Sequence, residues 1–147
     1  WIGAGTYPPP PGIRRLFLDA PAVERDYYRR TSIFPVMHTL VVRREVLASD
    51  PLLAQRLVDA FEETKRLAIE KLWSTSVSYP TMPWTLAAVE EQYAVMGGDP
   101  WPYGLERNQP TTAALGRYLR EQELVWADLP IEDYFLPIEP SNREATA

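Results

Sequence analysis

Leu53, Leu57, Phe61, Thr64, Ala68 and Leu72 recur at spacings of three and four, so an apolar stripe running to about Trp73 predicts an amphipathic helix. Ser49-Asp50-Pro51 opens it, with Asp50 as the capping residue and Pro51 in the first turn, where a missing amide is tolerated. Glu62, Glu63, Lys65, Arg66, Glu70 and Lys71 fall on the other face and read as a solvated surface. A second helix fits Pro83 to Met96, with Leu86, Val89, Tyr93 and Met96 inward and Gly97-Gly98 as terminator. Further helices are expected over about Pro110 to Glu123 and Ile131 to Phe135.

Before Pro51 the pattern differs. Ile13 to Leu18 suits a short strand, and Asp19-Ala20-Pro21 reads as the start of a helix running to about Arg30. Pro35 bars helix at Phe34 and imposes an extended entry into Val36 to Arg43, whose β-branched and apolar residues predict a buried strand. Trp1 to Gly12, with consecutive prolines from Pro8 to Pro11, should form an irregular or polyproline II arm. Such an arm is either a linker or a ligand for an aromatic groove. Asp99-Pro100-Trp101-Pro102-Tyr103-Gly104 is a rigid aromatic loop, whose rings either wall a ligand site together with Trp84 or staple the loop to its scaffold. Strands near Ile13 and Val36, and helices dominating after residue 51, make the fold class α/β.

The composition narrows the chemistry. With 147 residues and 46% hydrophobic content the chain can bury the core of one domain. The absence of cysteine excludes disulfides, a thiolate zinc site and a cysteine nucleophile. A single histidine without metal-ligand spacing gives no expectation of a metal, and no apolar run approaches the ~20 residues of a membrane span. A net charge of −5 argues against general nucleic-acid binding. That charge is unevenly spread: residues 13–44 hold seven arginines against three acids, a net of +4, and the remainder carries −9. The cationic segment, which also contains His38, is therefore where a small organic anion would bind.

Within it, Arg14 and Arg15 are candidates for a carboxylate fork, since guanidinium presents planar paired donors; an extended backbone would turn one of the two away. Arg29-Arg30 and Arg43-Arg44 are weaker candidates, the first pair also suiting the negative end of a helix. His38 can hold or release a proton near neutrality. It is a candidate acid, with a purely ligand-binding histidine or a core or hinge histidine as alternatives. Thr31 and Thr39 offer hydroxyls to a ligand, or cap and pack locally. Glu62-Glu63 and Glu90-Glu91 make no catalytic dyad, because successive helical residues diverge in direction.

The wording of the chain carries a resemblance. Arg14-Arg15-Leu16-Phe17, Val23-Glu24-Arg25-Asp26-Tyr27-Tyr28-Arg29-Arg30-Thr31, Ile33-Phe34-Pro35-Val36-Met37-His38-Thr39, Pro83-Trp84 and Met96-Gly97-Gly98-Asp99-Pro100-Trp101-Pro102-Tyr103-Gly104-Leu105-Glu106 occur in that order. Spread over about Arg14 to Pro137, they resemble the 4,5-dihydroxyphthalate decarboxylase family. The resemblance implies a two-lobed periplasmic-binding-protein-like fold, type 2, of which this chain is the C-terminal portion. Residues 13–137 would belong to that fold, with a lobe crossing near 34–44, an arm at 1–12 and a flexible tail at 138–147. The start at Trp1 instead of methionine fits an N-terminal lobe lying upstream.

It further implies removal of carbon dioxide from an aromatic dicarboxylate to give 3,4-dihydroxybenzoate, with no cofactor, in the cytoplasm. His38 would be the proton donor; Arg14, Arg15, Tyr28, Thr31 and Thr39 would bind substrate, a tyrosine at 27 or 28 meeting the catechol oxygens. The competing reading is a noncatalytic solute-binding protein of a nitrate/taurine-type transporter, periplasmic, holding a small organic anion in the same fold.

Overall fold

The computed structural model describes residues 11–74, 82–127 and 130–138. Five α-helices follow one another: α1 (Ala20–Thr31), α2 (Arg44–Ser49), α3 (Leu53–Trp73), α4 (Thr85–Met96) and α5 (Gln109–Glu121). Short 3-10 turns occupy Glu106–Asn108 and Ile131–Tyr134. Residues 1–10 of the arm expected at 1–12, and 139–147 of the tail expected at 138–147, lie outside the described residues.

Local signals place most of these boundaries. Asp19 caps α1 by accepting a hydrogen bond from the Ala22 amide at 3.1 Å, and Pro21 sits in the first turn. At the other end Ser32 turns left-handed at φ 54° and donates its amide to the Tyr28 carbonyl at 2.7 Å. Asp50 accepts from the Leu52 amide at 3.2 Å and pairs with Arg56, so the expected cap works from just outside α3. α4 ends as predicted at Gly97, whose φ is 73°. Gly98 follows at φ 134°, a backbone region that glycine alone enters without strain.

No strand forms among the described residues. Residues 13–15 are irregular, 16–19 are bends and turns, 32–43 are irregular, and the chain enters α2 where the expected strand would have ended. A strand is a pairing between backbones, and the described part of the chain brings no second segment alongside Val36 to Arg43. The apolar residues of the expected buried strand stand in the open instead: Leu40 is 62% exposed and Val41 85%, with only Val42 half-buried.

Packing is correspondingly thin. Ala114 on α5 and Pro100 are the only buried residues among those described. α3 packs on α4, where Trp73 meets Tyr93 edge to face with centroids 5.3 Å apart, and α4 packs on α1. α5 carries the turn Ile131–Tyr134, with Ile131 lying over Gly116. The inward side of α3 is rotated from the expected stripe: Thr64 and Ala68 are exposed, whereas Val58, Lys65 and Ile69 are half-buried. Rotation follows from what α3 faces, namely α4 and the loop after it, and that loop is polar enough to accept a lysine.

Candidate functional site

The cationic segment begins on α1, and much of its charge is already engaged. Arg25 donates to Glu91 of α4 at 2.6 Å, a bridge between the two helices. Arg30 donates to Asp26 at 2.9 Å and lies 6.0 Å from the Tyr27 ring centroid. Arg29 and Arg30 occupy the last turn of α1, where positive charge complements the helix dipole. Arg15 also has an interaction, whereas the side chains of Arg14, Arg29, Arg43 and Arg44 have no hydrogen-bond or ionic partner among the described residues.

Thr31 serves the backbone. Its hydroxyl donates to the Tyr27 carbonyl at 2.8 Å and accepts from the Ile33 amide at 3.2 Å, which closes the helix and launches the extended segment. Tyr28 is half-buried on α1. His38 and Thr39 are exposed, and neither side chain makes a hydrogen bond among the described residues. The structure thus groups Arg25, Tyr28 and Thr31 with α1 and its exit, and leaves Arg14, His38 and Thr39 open on segments that pack little.

What anchors the His38 segment is its first residue. The Phe34 amide donates to Thr111 Oγ1 at 3.2 Å, and the same hydroxyl donates to the Phe34 carbonyl at 3.0 Å. One threonine of α5 thereby holds both polar groups of one extended residue, as a neighbouring strand would. The Phe34 ring in turn meets Trp101 edge to face at 5.5 Å. Trp101 and Tyr103 therefore act as staples, Tyr103 packing against Phe61 at 6.4 Å, while Trp84 is 82% exposed.

The loop that carries Trp101 is itself fastened from α3. Lys65, its side chain only 10% exposed, donates to Asp99 at 2.7 Å and to the Trp101 carbonyl at 3.0 Å, and pairs with Glu62 at 2.8 Å. Its ammonium sits 4.4 Å from the Tyr103 ring centroid. Asp99 also accepts from the Trp101 amide at 2.9 Å and from Arg107 at 3.4 Å. Asn108 closes the loop by donating to the Pro102 and Gly104 carbonyls at 2.7 and 2.8 Å. Lys65, expected on a solvated face, is the hub of this arrangement. Its neighbours on the helix gave the only clue, since Lys65 lies four residues after Phe61 and three after Glu62. Thr111 carries no sequence signal at all.

An open groove of about 190 Å³ lies elsewhere, between α5 and the Ile131–Tyr134 turn, lined by Thr112, Gly116, Arg120 and Glu132 among others. It does not include His38. Among the described residues no group of three or more His, Asp and Glu side chains is placed to hold a metal, and no helix is long and apolar enough to cross a membrane.

Comparison with known proteins decides the relationship. Over 98 residues the chain is 36% identical to the 4,5-dihydroxyphthalate decarboxylase of Comamonas testosteroni. The chain is a distant relative of that decarboxylase. The match takes in 67% of this chain and 30% of the decarboxylase, so the chain spans under a third of its relative's length. No family model matches the chain.

Proposed function

We propose that this chain contributes the proton donor and part of the anion clamp to a decarboxylase of aromatic dicarboxylates, acting on 4,5-dihydroxyphthalate or a close analogue. The observation that carries the reading is the 36% identity over 98 residues to an enzyme named for that reaction. Arg14, Arg43 and Arg44, on the segment that bears the single histidine, have no hydrogen-bond or ionic partner among the described residues, which agrees with it. The two-lobed binding-protein-like fold, with the remaining lobe supplied by further polypeptide, belongs to the same proposal.

The chemistry assigns a role to each group. Decarboxylating an aromatic ring leaves an aryl carbanion unless the ring carbon is protonated first. A hydroxyl para to the departing carboxylate, partly ionised, pushes electron density onto that carbon. The His38 imidazolium delivers a proton there and forms the new C–H bond. The bond to the carboxylate then breaks, its electron pair restores the aromatic ring, and carbon dioxide leaves. Arg14, with Arg15, Arg43 or Arg44, holds the carboxylates.

The test is to follow carbon dioxide release from 4,5-dihydroxyphthalate by the intact polypeptide. Turnover that falls about 100-fold or more in His38→Gln is expected, the usual scale for losing a positioned acid. Binding without turnover, or a His38→Gln variant as fast as the parent, overturns the proposal.

A further inference from the structure

Between α3 and the His38 segment runs an uninterrupted series of contacts: Lys65 to the Trp101 carbonyl at 3.0 Å, Trp101 to the Phe34 ring at 5.5 Å, and Phe34 to Thr111 through both of its backbone groups. Phe34 stands four residues before His38, and Pro35 follows it. Proline locks its own φ and restricts the residue before it, so fixing Phe34 fixes the direction in which the chain leaves toward His38. From Val36 to Val41 the side chains are exposed and the backbone has no pairing among the described residues, so Phe34 is the last residue before His38 that a hydrogen bond holds there.

We propose that Lys65 and Thr111 are positioning residues for His38: Thr111 sets the register of the extended segment, and Lys65 acts at a distance by holding Trp101 against Phe34. The reading of His38 as the acid rests on the proposed decarboxylase function; the mechanical link does not. Three features of Lys65 suit such a role better than surface solvation. Its ammonium is enclosed, it serves two carboxylates and a carbonyl at once, and a lysine is long enough to reach from a helix into the Asp99 loop. Asp99 supplies the geometry, because it grips Lys65 with one carboxylate oxygen and the Trp101 amide with the other. Thr111 needs the hydroxyl, which donates and accepts at the same residue. Serine retains that capacity and valine loses it while keeping the shape.

Hydrogen–deuterium exchange on the intact protein tests the link directly. In Thr111→Val the Phe34 amide, which donates to Thr111, exchanges about tenfold faster when followed residue by residue by NMR, and in Thr111→Ser it stays within about twofold of the parent. Lys65→Met speeds exchange in 97–104 and at the Phe34 amide together. Should that variant not fold, Trp101→Leu, which leaves the ion pairs of Lys65 in place, is expected to speed the Phe34 amide by itself. Faster exchange at 97–104 with Phe34 unchanged overturns the role of Lys65, and an unchanged Phe34 amide in Thr111→Val overturns that of Thr111. Where the parent turns over 4,5-dihydroxyphthalate, Thr111→Val should lower kcat about tenfold with KM within about threefold, because misplacing an acid slows chemistry more than it weakens binding. Unaltered kcat in that variant also overturns the proposal. A parent that exchanges as described but lacks turnover removes the decarboxylase reading and leaves the positioning intact.

Discussion

The loop at 97–104 and the segment at 33–43 meet at Trp101 and Phe34, yet they are built on opposite terms. In the loop, Asp99, Asn108 and Lys65 satisfy one another and the backbone between them, with nearly every contact inside 3.0 Å. In the segment, His38 and Thr39 have no hydrogen-bond partner for their side chains among the described residues, and Leu40 and Val41 are largely exposed. A rigid, polar, self-satisfied loop thus braces a chemically equipped segment that has little internal support. Stability in this chain is concentrated where charges are paired and enclosed; reactivity, in the proposed function, is concentrated where they are left unpaired, so that a ligand can pair them.

Four substitutions probe that contrast in chemical denaturation of the intact protein. Lys65→Met should have the largest effect, about 3 kcal/mol, because it strands Asp99 and Glu62 in partly buried positions. A loss as small as a typical surface lysine's would erase the distinction between the regions. Gly98→Ala should follow at about 1–3 kcal/mol, since φ 134° strains any residue with a Cβ, although no neighbouring atom would clash with it. Glu91→Gln, which breaks the half-exposed bridge to Arg25, should cost about 0.5 kcal/mol, and a double-mutant cycle with Arg25→Gln should recover most of that value as coupling. His38→Gln is expected to change stability by no more than about 0.5 kcal/mol, as suits an exposed side chain without a hydrogen-bond partner among the described residues. A strongly destabilised His38→Gln would show the segment to be packed, and would move the histidine to the structural side of the comparison.

The charged face of α3 divides along the same line. Arg66, exposed on the helix surface, is held protonated by its hydrogen bond to Glu63, with Glu70 adding to the effect, and this trio is the solvated surface that the charge pattern suggests. Lys65, one residue earlier, turns into the interior. The helical period separates the two by about 100° around the axis, and nothing in their residue types distinguishes which one the loop will meet. The stripe read from apolar residues alone placed Thr64 inward, where the structure has Lys65. A lysine that buries its stem and pairs its charge defeats a rule built on hydrophobicity.

The chain's own order of residues determined the helices, since their hydrogen bonds close within four residues and their ends depend on local chemistry: Asp19 and Pro21 at the start of α1, Asp50 and Pro51 before α3, Gly97 after α4. It also determined that positive charge gathers around the one histidine. Which charges remain available was decided only by the folded arrangement. Glu91 reaches Arg25 across 66 residues, Asp99 reaches Lys65 across 34, and Thr111 grips Phe34 across 77. The apolar run at Val36 to Arg43 shows the same limit from the other side. Its composition favours an extended conformation, but a strand exists only beside a second backbone, and that partner is a property of how distant parts of a chain come together.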